Sequence, residues 1–322
     1  MPPGDHRSAT EEFDVVVLAI QPEAVDVVAL EFGRRDGVPL PKWEPGAHVD
    51  LLLAPGLERQ YSLCGDPFGA TWRVAVLLEH EGRGGSARVH GLSVADSLRV
   101  RGPRNHFPLV AAPGYLFIAG GIGITPIIPM IGQVERERLP WHLLYGGRRR
   151  ESMAFIGLLG KYDDLVTLRP QDEYGLLELE QAIDGLAVGE ALYCCGPEPL
   201  ITAVEQICVQ LSLPRPHVER FAPKAIDPAK AAGDRAFDVV IDSTGMTYRV
   251  QADESIMEVL ERNGFDIDYS CREGICGTCE TYVLEGEITH RDSVLSGDEQ
   301  DAQDTMMICV SRAAYDRLVL DL

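Results

Sequence analysis

Residues 271–279 read Cys271-Arg272-Glu273-Gly274-Ile275-Cys276-Gly277-Thr278-Cys279, and Cys309 follows Cys279 by thirty positions. Three cysteines separated by four and then two residues, with a remote fourth, suit two irons and two sulfides held by four thiolates. Gly274 and Gly277 let the backbone curl around such a cluster and turn its amides toward the sulfurs. Two other uses of four cysteines fit less well. Disulfides belong to oxidising compartments, and the opening Met1-Pro2-Pro3-Gly4-Asp5-His6-Arg7 has no apolar secretory region. A zinc site more often shows two matched Cys-x2-Cys pairs. A two-iron cluster passes one electron at a time, so the rest of the chain is expected to supply electrons or accept them.

The sequence from Phe237 to Leu322 resembles the plant-type ferredoxins, with Tyr269-Ser270-Cys271 and Met307-Ile308-Cys309-Val310-Ser311 carrying the likeness. The resemblance implies an α+β β-grasp domain at 237–322, with Cys271, Cys276, Cys279 and Cys309 as the metal ligands. With 322 residues, two or three domains are expected. Apolar content is 45%, enough for real cores, and no apolar run nears membrane-spanning length. The cytoplasm is the simplest location. A net charge of -21 argues against nucleic acid and anionic membranes as partners. The charge is uneven: 19 acidic against 6 basic residues from Phe237 onward, 31 against 23 before it. An acidic end serves solubility, or it docks a partner with a basic patch.

Residues 13–110 read mainly as short β-rich runs separated by Gly/Pro turns: Phe13–Ile20, Val25–Phe32, His48–Leu53, Gln60–Cys64, Trp72–Leu78 and Ser97–Arg101. This pattern suits a small antiparallel β-barrel over 1–110. From 111 to 223 strand-like runs (Tyr115–Ala119, Trp141–Tyr145, Val166–Arg169, Ala191–Cys195) alternate with helical stretches near Thr125–Arg138, Ser152–Gly160 and Pro197–Leu211. That alternation predicts an α/β domain with a parallel sheet. Residues 224–236 read as a linker.

Arg59-Gln60-Tyr61-Ser62-Leu63 places Arg59 and Tyr61 on one face of a strand and Gln60 and Ser62 on the other. Some twenty residues on, Gly82-Arg83-Gly84-Gly85-Ser86 leads into a short helix, Ser86–Gly91. Backbone amides, an arginine and a serine hydroxyl there would cradle a phosphate. With these two segments the chain resembles the ferredoxin reductase superfamily, and more narrowly the phthalate dioxygenase reductase family. The resemblance implies FMN, with Arg59, Arg83, Gly84, Gly85 and Ser86 around its phosphate and Tyr61 and Ser62 along its ring. Gly102-Pro103-Arg104-Asn105-His106-Phe107 also looks like that family's segment and implies Asn105 near the flavin.

Gly120-Gly121-Ile122-Gly123-Ile124-Thr125-Pro126 follows a strand and opens a helix, the setting for a pyrophosphate. The dinucleotide fingerprint would have a third glycine where Pro126 stands; Gly-x-Gly-x-x-Pro instead resembles the reductase superfamily. Thr125 is expected to cap the helix or to touch the flavin or the nicotinamide. The resemblance puts Cys195, followed by Gly196 and Pro197, beside the reacting nicotinamide and Phe221 against the flavin. Cys194 is expected in the core. Cys195, Thr125 and Ser62 are thus the candidates at the reacting centre, with Gly121, Gly123, Pro126, Arg148, Gly196 and Pro197 holding the nucleotide. Arg148-Arg149-Arg150 could meet the extra phosphate of NADPH or form a solvated turn; the family mostly uses NADH, which is the expected donor.

NADH gives up two electrons as hydride, a [2Fe–2S] cluster takes one, and a flavin mediates between them, so the expected path is NADH, FMN, cluster, external acceptor. Plant-type clusters lie near about -400 mV and Rieske centres between roughly -150 and +300 mV, a drop of about 250 mV or more. At about 59 mV per decade this is a drive of several decades. The expected enzyme is an NADH-dependent reductase, commonly a monomer, serving a Rieske-type oxygenase of ring-hydroxylating or O-demethylating type. Delivery to a haem-thiolate monooxygenase is the alternative. A subunit bound to a dehydrogenase would carry more closely spaced terminal cysteines. A redox sensor would need an output domain, and no segment reads as one.

Overall fold

The structure, a computed structural model, describes residues 12–223 and 233–322. Of the expected linker 224–236, residues 224–232 lie outside the described residues. The chain divides into two compact units, Met1–Val218 and Glu219–Leu322.

The first unit opens with six antiparallel strands: β1 (Glu12–Ala24), β2 (Val27–Gly33), β3 (Ala47–Ala54), β4 (Leu57–Ser62), β5 (Trp72–Leu77) and β6 (Ser97–Asn105). A short helix, α1 (Gly85–His90), lies between β5 and β6. The sheet order is β4-β3-β6-β1-β2-β5. Its two ends meet at the Leu63–Val74 bridge and the Cys64 N–H to Arg73 carbonyl bond of 2.8 Å, so the sheet curls into a barrel. Alternation decides which residues fill it. Val15 and Val17, Leu30 and Phe32, Val49 and Leu51, and Val74 and Val76 all point inward.

A five-stranded sheet follows, with β7 (Tyr115–Gly120), β8 (Trp141–Gly147), β9 (Val166–Pro170), β10 (Ala191–Cys195) and β11 (His217–Glu219) in the order β11-β10-β7-β8-β9. Strands β7 to β10 pair in parallel. The helix α2 (Ile124–Glu137) covers one face through Ile127, Met130, Ile131 and Val134. The other face is covered by Ile183 of α5 (Leu179–Asp184) and Ile201, Val204 and Ile207 of α6 (Glu198–Gln210), which lie beyond the one-turn helices α3 (Ile156–Leu159) and α4 (Gln171–Tyr174). The core on the α2 side also contains Val27, Ala29, Cys64 and Ala75 of the barrel, so barrel and parallel sheet share one interior.

The helix expected over Ser152–Gly160 is broken into a 3-10 turn, Arg150–Ser152, and the four-residue α3. Met153, Ala154 and Phe155 are all buried between the two short turns. Phe155 takes a left-handed conformation at φ 62, which interrupts a right-handed helix. The strand expected at Gln60–Cys64 starts earlier, at Leu57, and stops at Ser62.

The second unit builds a sheet in the order β13-β12-β18-β14-β16 from β12 (Phe237–Ile241), β13 (Thr247–Val250), β14 (Glu280–Glu285), β16 (Thr305–Met307) and β18 (Arg317–Leu320). The small pair β15 (Ile288–Thr289) and β17 (Arg312–Ala313) lies beside it in sequence. The first and last strands, β12 and β18, run parallel at its centre. The helix α7 (Ile256–Arg262) begins at a capping box in which Ser255 accepts from the Glu258 N–H and Glu258 accepts from the Ser255 N–H. It packs Ile256, Met257, Val259 and Leu260 onto Phe237, Val239, Leu318 and Leu320. The helix α8 (Gly297–Ala302) is capped in the same way by Ser296 and Glu299. Among the described residues no helix is long and apolar enough to cross a membrane.

Candidate flavin, nucleotide and iron–sulfur sites

Strand β4 carries Arg59, Tyr61 and Ser62, opposite Leu51, Val49 and His48 of β3. The Arg59 guanidinium reaches the 82–86 loop: Nη2 donates to the Arg83 carbonyl at 3.5 Å, and Nη1 donates to the Glu58 carbonyl at 2.7 Å. A side chain on Gly85 would collide with Arg59, and Gly84 stands at φ 83, so both glycines are needed to bring loop and strand together. Ser86 Oγ accepts the Glu79 N–H at 2.9 Å, and a hydroxyl that accepts one bond can still donate another. Arg83 is exposed and Ser62 is buried. Burial pushes the Tyr61 phenol up to about 12, against the pull of Arg59, which keeps it a neutral donor. This constellation fits a phosphate and a ring edge.

Asn105 stands at the end of β6 with its side chain engaged. Its Nδ2 donates to the Pro45 carbonyl at 3.1 Å and its Oδ1 accepts the Phe107 N–H at 3.0 Å. It braces the exit from the barrel.

In the parallel sheet the chain leaves β7 for β8 and β9 on one side, then returns to β10 on the other. The switch point therefore lies between β7 and β10, where open α/β sheets bind ligands at the strand carboxyl ends. The two glycine turns expected to hold the nucleotide meet there. A Cβ on Gly123 would strike the Cys195 carbonyl, and one on Gly196 would lie 2.9 Å from Gly120 Cα. Only bare backbone permits this approach, which leaves Gly121 at φ 54 and Pro197 at the start of α6. Pro126 sits in the first turn of α2. Thr125 does not cap that helix. Gly123 is the N-cap, and the buried Thr125 hydroxyl donates back to the Ile122 carbonyl at 3.0 Å.

Cys194 and Cys195 face opposite ways. Cys194 joins the core with α5 and α6, whereas Cys195 joins the core that contains Cys64 and Ala75 of the barrel. Tyr145 was not singled out in the sequence. Its hydroxyl donates to the Gly121 carbonyl at 3.1 Å or the Ala154 carbonyl at 3.2 Å, fixing the glycine turn from β8. A tyrosine beside Leu143 and Leu144 in a strand bound for the core was the available signal. Of the three arginines after β8, Arg149 lies 3.6 Å from Glu151 and Arg150 lies 3.3 Å from Glu173. Arg148 has no ion pair among the described residues, which makes it the cation open to a ligand. Phe221 belongs to the second unit and is 42% exposed.

In the second unit Cys276, Cys279 and Cys309 are buried and Cys271 is half-buried. Cys271 contacts Cys276 and Cys309, and Cys309 also contacts Cys279, so the four sulfurs form one chain. The N–H groups of Glu273 and Ile275 donate to Cys271 Sγ at 3.2 and 3.5 Å, and that of Thr278 donates to Cys276 Sγ at 3.4 Å. Gly274 at φ 69 and Gly277 at φ 74 make the curl. The hydrogen bond with Cys271, and then burial, push the Cys276 thiol up. Thiolates crowded this way need cations among them, as a cluster of two irons provides. Arg272 stacks at 3.9 Å over the Tyr269 ring and pairs with Glu261 at 2.6 Å, pinning the exposed lip of the loop.

Comparison with known proteins identifies the family and the fold. Residues 239–314 match the 2Fe-2S iron-sulfur cluster binding domain family. The chain is 41% identical over 292 residues to the phenoxybenzoate dioxygenase subunit beta of Ectopseudomonas oleovorans, covering 89% of this chain and 90% of the relative. The solved phthalate dioxygenase reductase, described as a modular structure for electron transfer from pyridine nucleotides to [2Fe-2S], superposes with a TM-score of 0.69 at 31% identity, over 97% of this chain and 98% of that one. An intact type IV self-sufficient cytochrome P450 monooxygenase superposes with a TM-score of 0.90 at 40% identity; the match takes in 97% of this chain but only 41% of that longer protein. The chain belongs to the phthalate dioxygenase reductase family and is a reductase that uses NADH, FMN and a [2Fe–2S] cluster.

Proposed function

We propose that this reductase takes electrons from NADH at the β7–β10 crevice and delivers them singly to a terminal oxygenase of Rieske type. When bound, the flavin converts a two-electron donor into one-electron deliveries and the cluster carries each electron outward. The chain's own residues bind and orient. Arg59, Arg83 and Ser86 hold a phosphate, with Gly84 and Gly85 admitting it, and Tyr61 and Ser62 donate to the ring edge. Gly121, Gly123, Pro126, Gly196 and Pro197 shape the pyrophosphate turn, Thr125 stiffens it from beneath, and Arg148 meets the ribose end. Cys195 lines the nicotinamide position. The observation that supports this most is the shared core: Cys195 at the end of β10 and Cys64 just past the Arg59–Leu63 segment belong to one buried cluster. Nucleotide and flavin residues are thereby held in one interior.

The test separates the two halves of the path. Cys276→Ser is expected to abolish NADH-driven reduction of cytochrome c, a one-electron acceptor, while dye reduction at the flavin continues. Persistence of both activities would overturn the circuit. The match to a P450 fusion favours a second acceptor, a haem-thiolate monooxygenase. Following NADH consumption coupled to each purified acceptor decides between them. We further propose that the protein acts as a cytoplasmic monomer, which light scattering of the holoprotein checks for the oligomeric state.

A further inference from the structure

The second unit buries a carboxylate that the electron path does not use. Asp292 is 0% exposed. Its Oδ2 accepts the Val294 N–H at 3.2 Å and the Leu295 N–H at 2.9 Å. Its Oδ1 accepts the Ser311 hydroxyl at 3.3 Å and stands 3.5 Å from His290 Nδ1, whose side chain is itself 7% exposed. Ser311 lies two residues beyond Cys309, and its oxygen also accepts the Arg291 N–H at 3.2 Å. The next residue, Ser293, donates its N–H to the Gly274 carbonyl at 2.8 Å, inside the Cys271–Cys276 loop. The fit there is close. A Cβ on Gly274 would lie 3.1 Å from Asp292 Cα and 2.5 Å from Val310 Cγ2. The two residues Asp292 and Ser293 are thus tied to both segments that carry cysteines.

We propose that Asp292 is a positioning residue that locks the Cys271–Cys276 loop to the Cys309 segment, and that its buried negative charge lowers the reduction potential of the cluster. This inference rests on the cluster assignment above. A buried carboxylate survives only where donors surround it, and Asp292 has them. Burial works against its ionised form, but the His290 imidazole and the Leu295 amide outweigh it and hold the carboxyl below its usual range. Negative charge fixed in a low-dielectric interior opposes the arrival of a further electron nearby.

Substitutions at Asp292, His290 and Ser311 in the full-length holoprotein test this. Asp292→Asn keeps the shape and removes the charge, so it is expected to raise the midpoint potential followed by EPR during a redox titration at fixed pH. The same comparison in a His290→Gln background separates the effect of the carboxylate from that of the imidazole 3.5 Å away. Ser311→Ala removes the link to the Cys309 segment and is expected to speed chelator-driven iron release several-fold, with flavin content unchanged. A potential unmoved by Asp292→Asn in both backgrounds would overturn the electrostatic role, and unaltered iron release in Ser311→Ala would overturn the lock. Two irons and two sulfides in the wild type are established first. Their absence would remove the cluster reading itself, whereas an unmoved potential in a loaded protein removes only the role of Asp292.

Discussion

Arg83 and Gly274 mark the two ways in which one residue can matter here. Arg83 is exposed and lies outside the barrel core. A hydrogen bond to a charged group contributes about 1.5–3 kcal/mol, so Arg83→Ala is expected to weaken FMN binding by about ten- to hundredfold. Titrating flavin into the apoprotein measures this, and the cluster absorbance should not change; unaltered flavin affinity would count against the phosphate role. Gly274 matters through absence. At φ 69, with Val310 and Asp292 against the space a methyl would fill, Gly274→Ala costs more than about 1 kcal/mol. Iron and sulfide content should fall while flavin content holds. The four cysteines proposed as ligands stand out in the sequence because a two-iron cluster calls for such a spacing. Asp292 does not, because its partners are backbone amides and a serine nineteen residues away, brought together only by the fold. Of the two roles expected for Thr125, capping the helix or touching a cofactor, the cap falls to Gly123.

At the scale of elements, the meeting of α2 with the end of β10 is the most demanding contact. Gly123 has an ordinary helical φ of -62, so Gly123→Ala carries no backbone strain; its cost comes from driving α2 off the Cys195 carbonyl. Overpacking of that kind costs about 1–3 kcal/mol. The expected result is a raised KM for NADH and slower flavin reduction, with the dithionite-reduced cluster signal unchanged. A KM equal to wild type would show that the turn does not shape the nucleotide site. The barrel strands could be read from sequence because Val15, Val17, Leu30, Phe32, Val49 and Leu51 obey the two-residue period. The 150–160 segment could not, since its break falls at the left-handed Phe155, where no glycine marks the turn. The short α4, α5 and β11 offered too few residues for any period to show.

At the scale of the whole molecule, one chain brings together a hydride-accepting unit and a one-electron unit. The division at Val218 and Glu219 separates them as compact bodies, each with its own buried core. The order of motifs along the chain announced this much, and the shared interior of barrel and parallel sheet explains why the first two sheets act together. The most direct measurement is anaerobic titration of the purified holoprotein with NADH, following flavin absorbance and the EPR signal of the reduced [2Fe–2S] cluster together. NADH alone is expected to bleach the flavin and bring up the cluster signal, with the cluster signal lost in Cys276→Ser. A flavin fully reduced by NADH beside a cluster that stays oxidised would contradict that expectation.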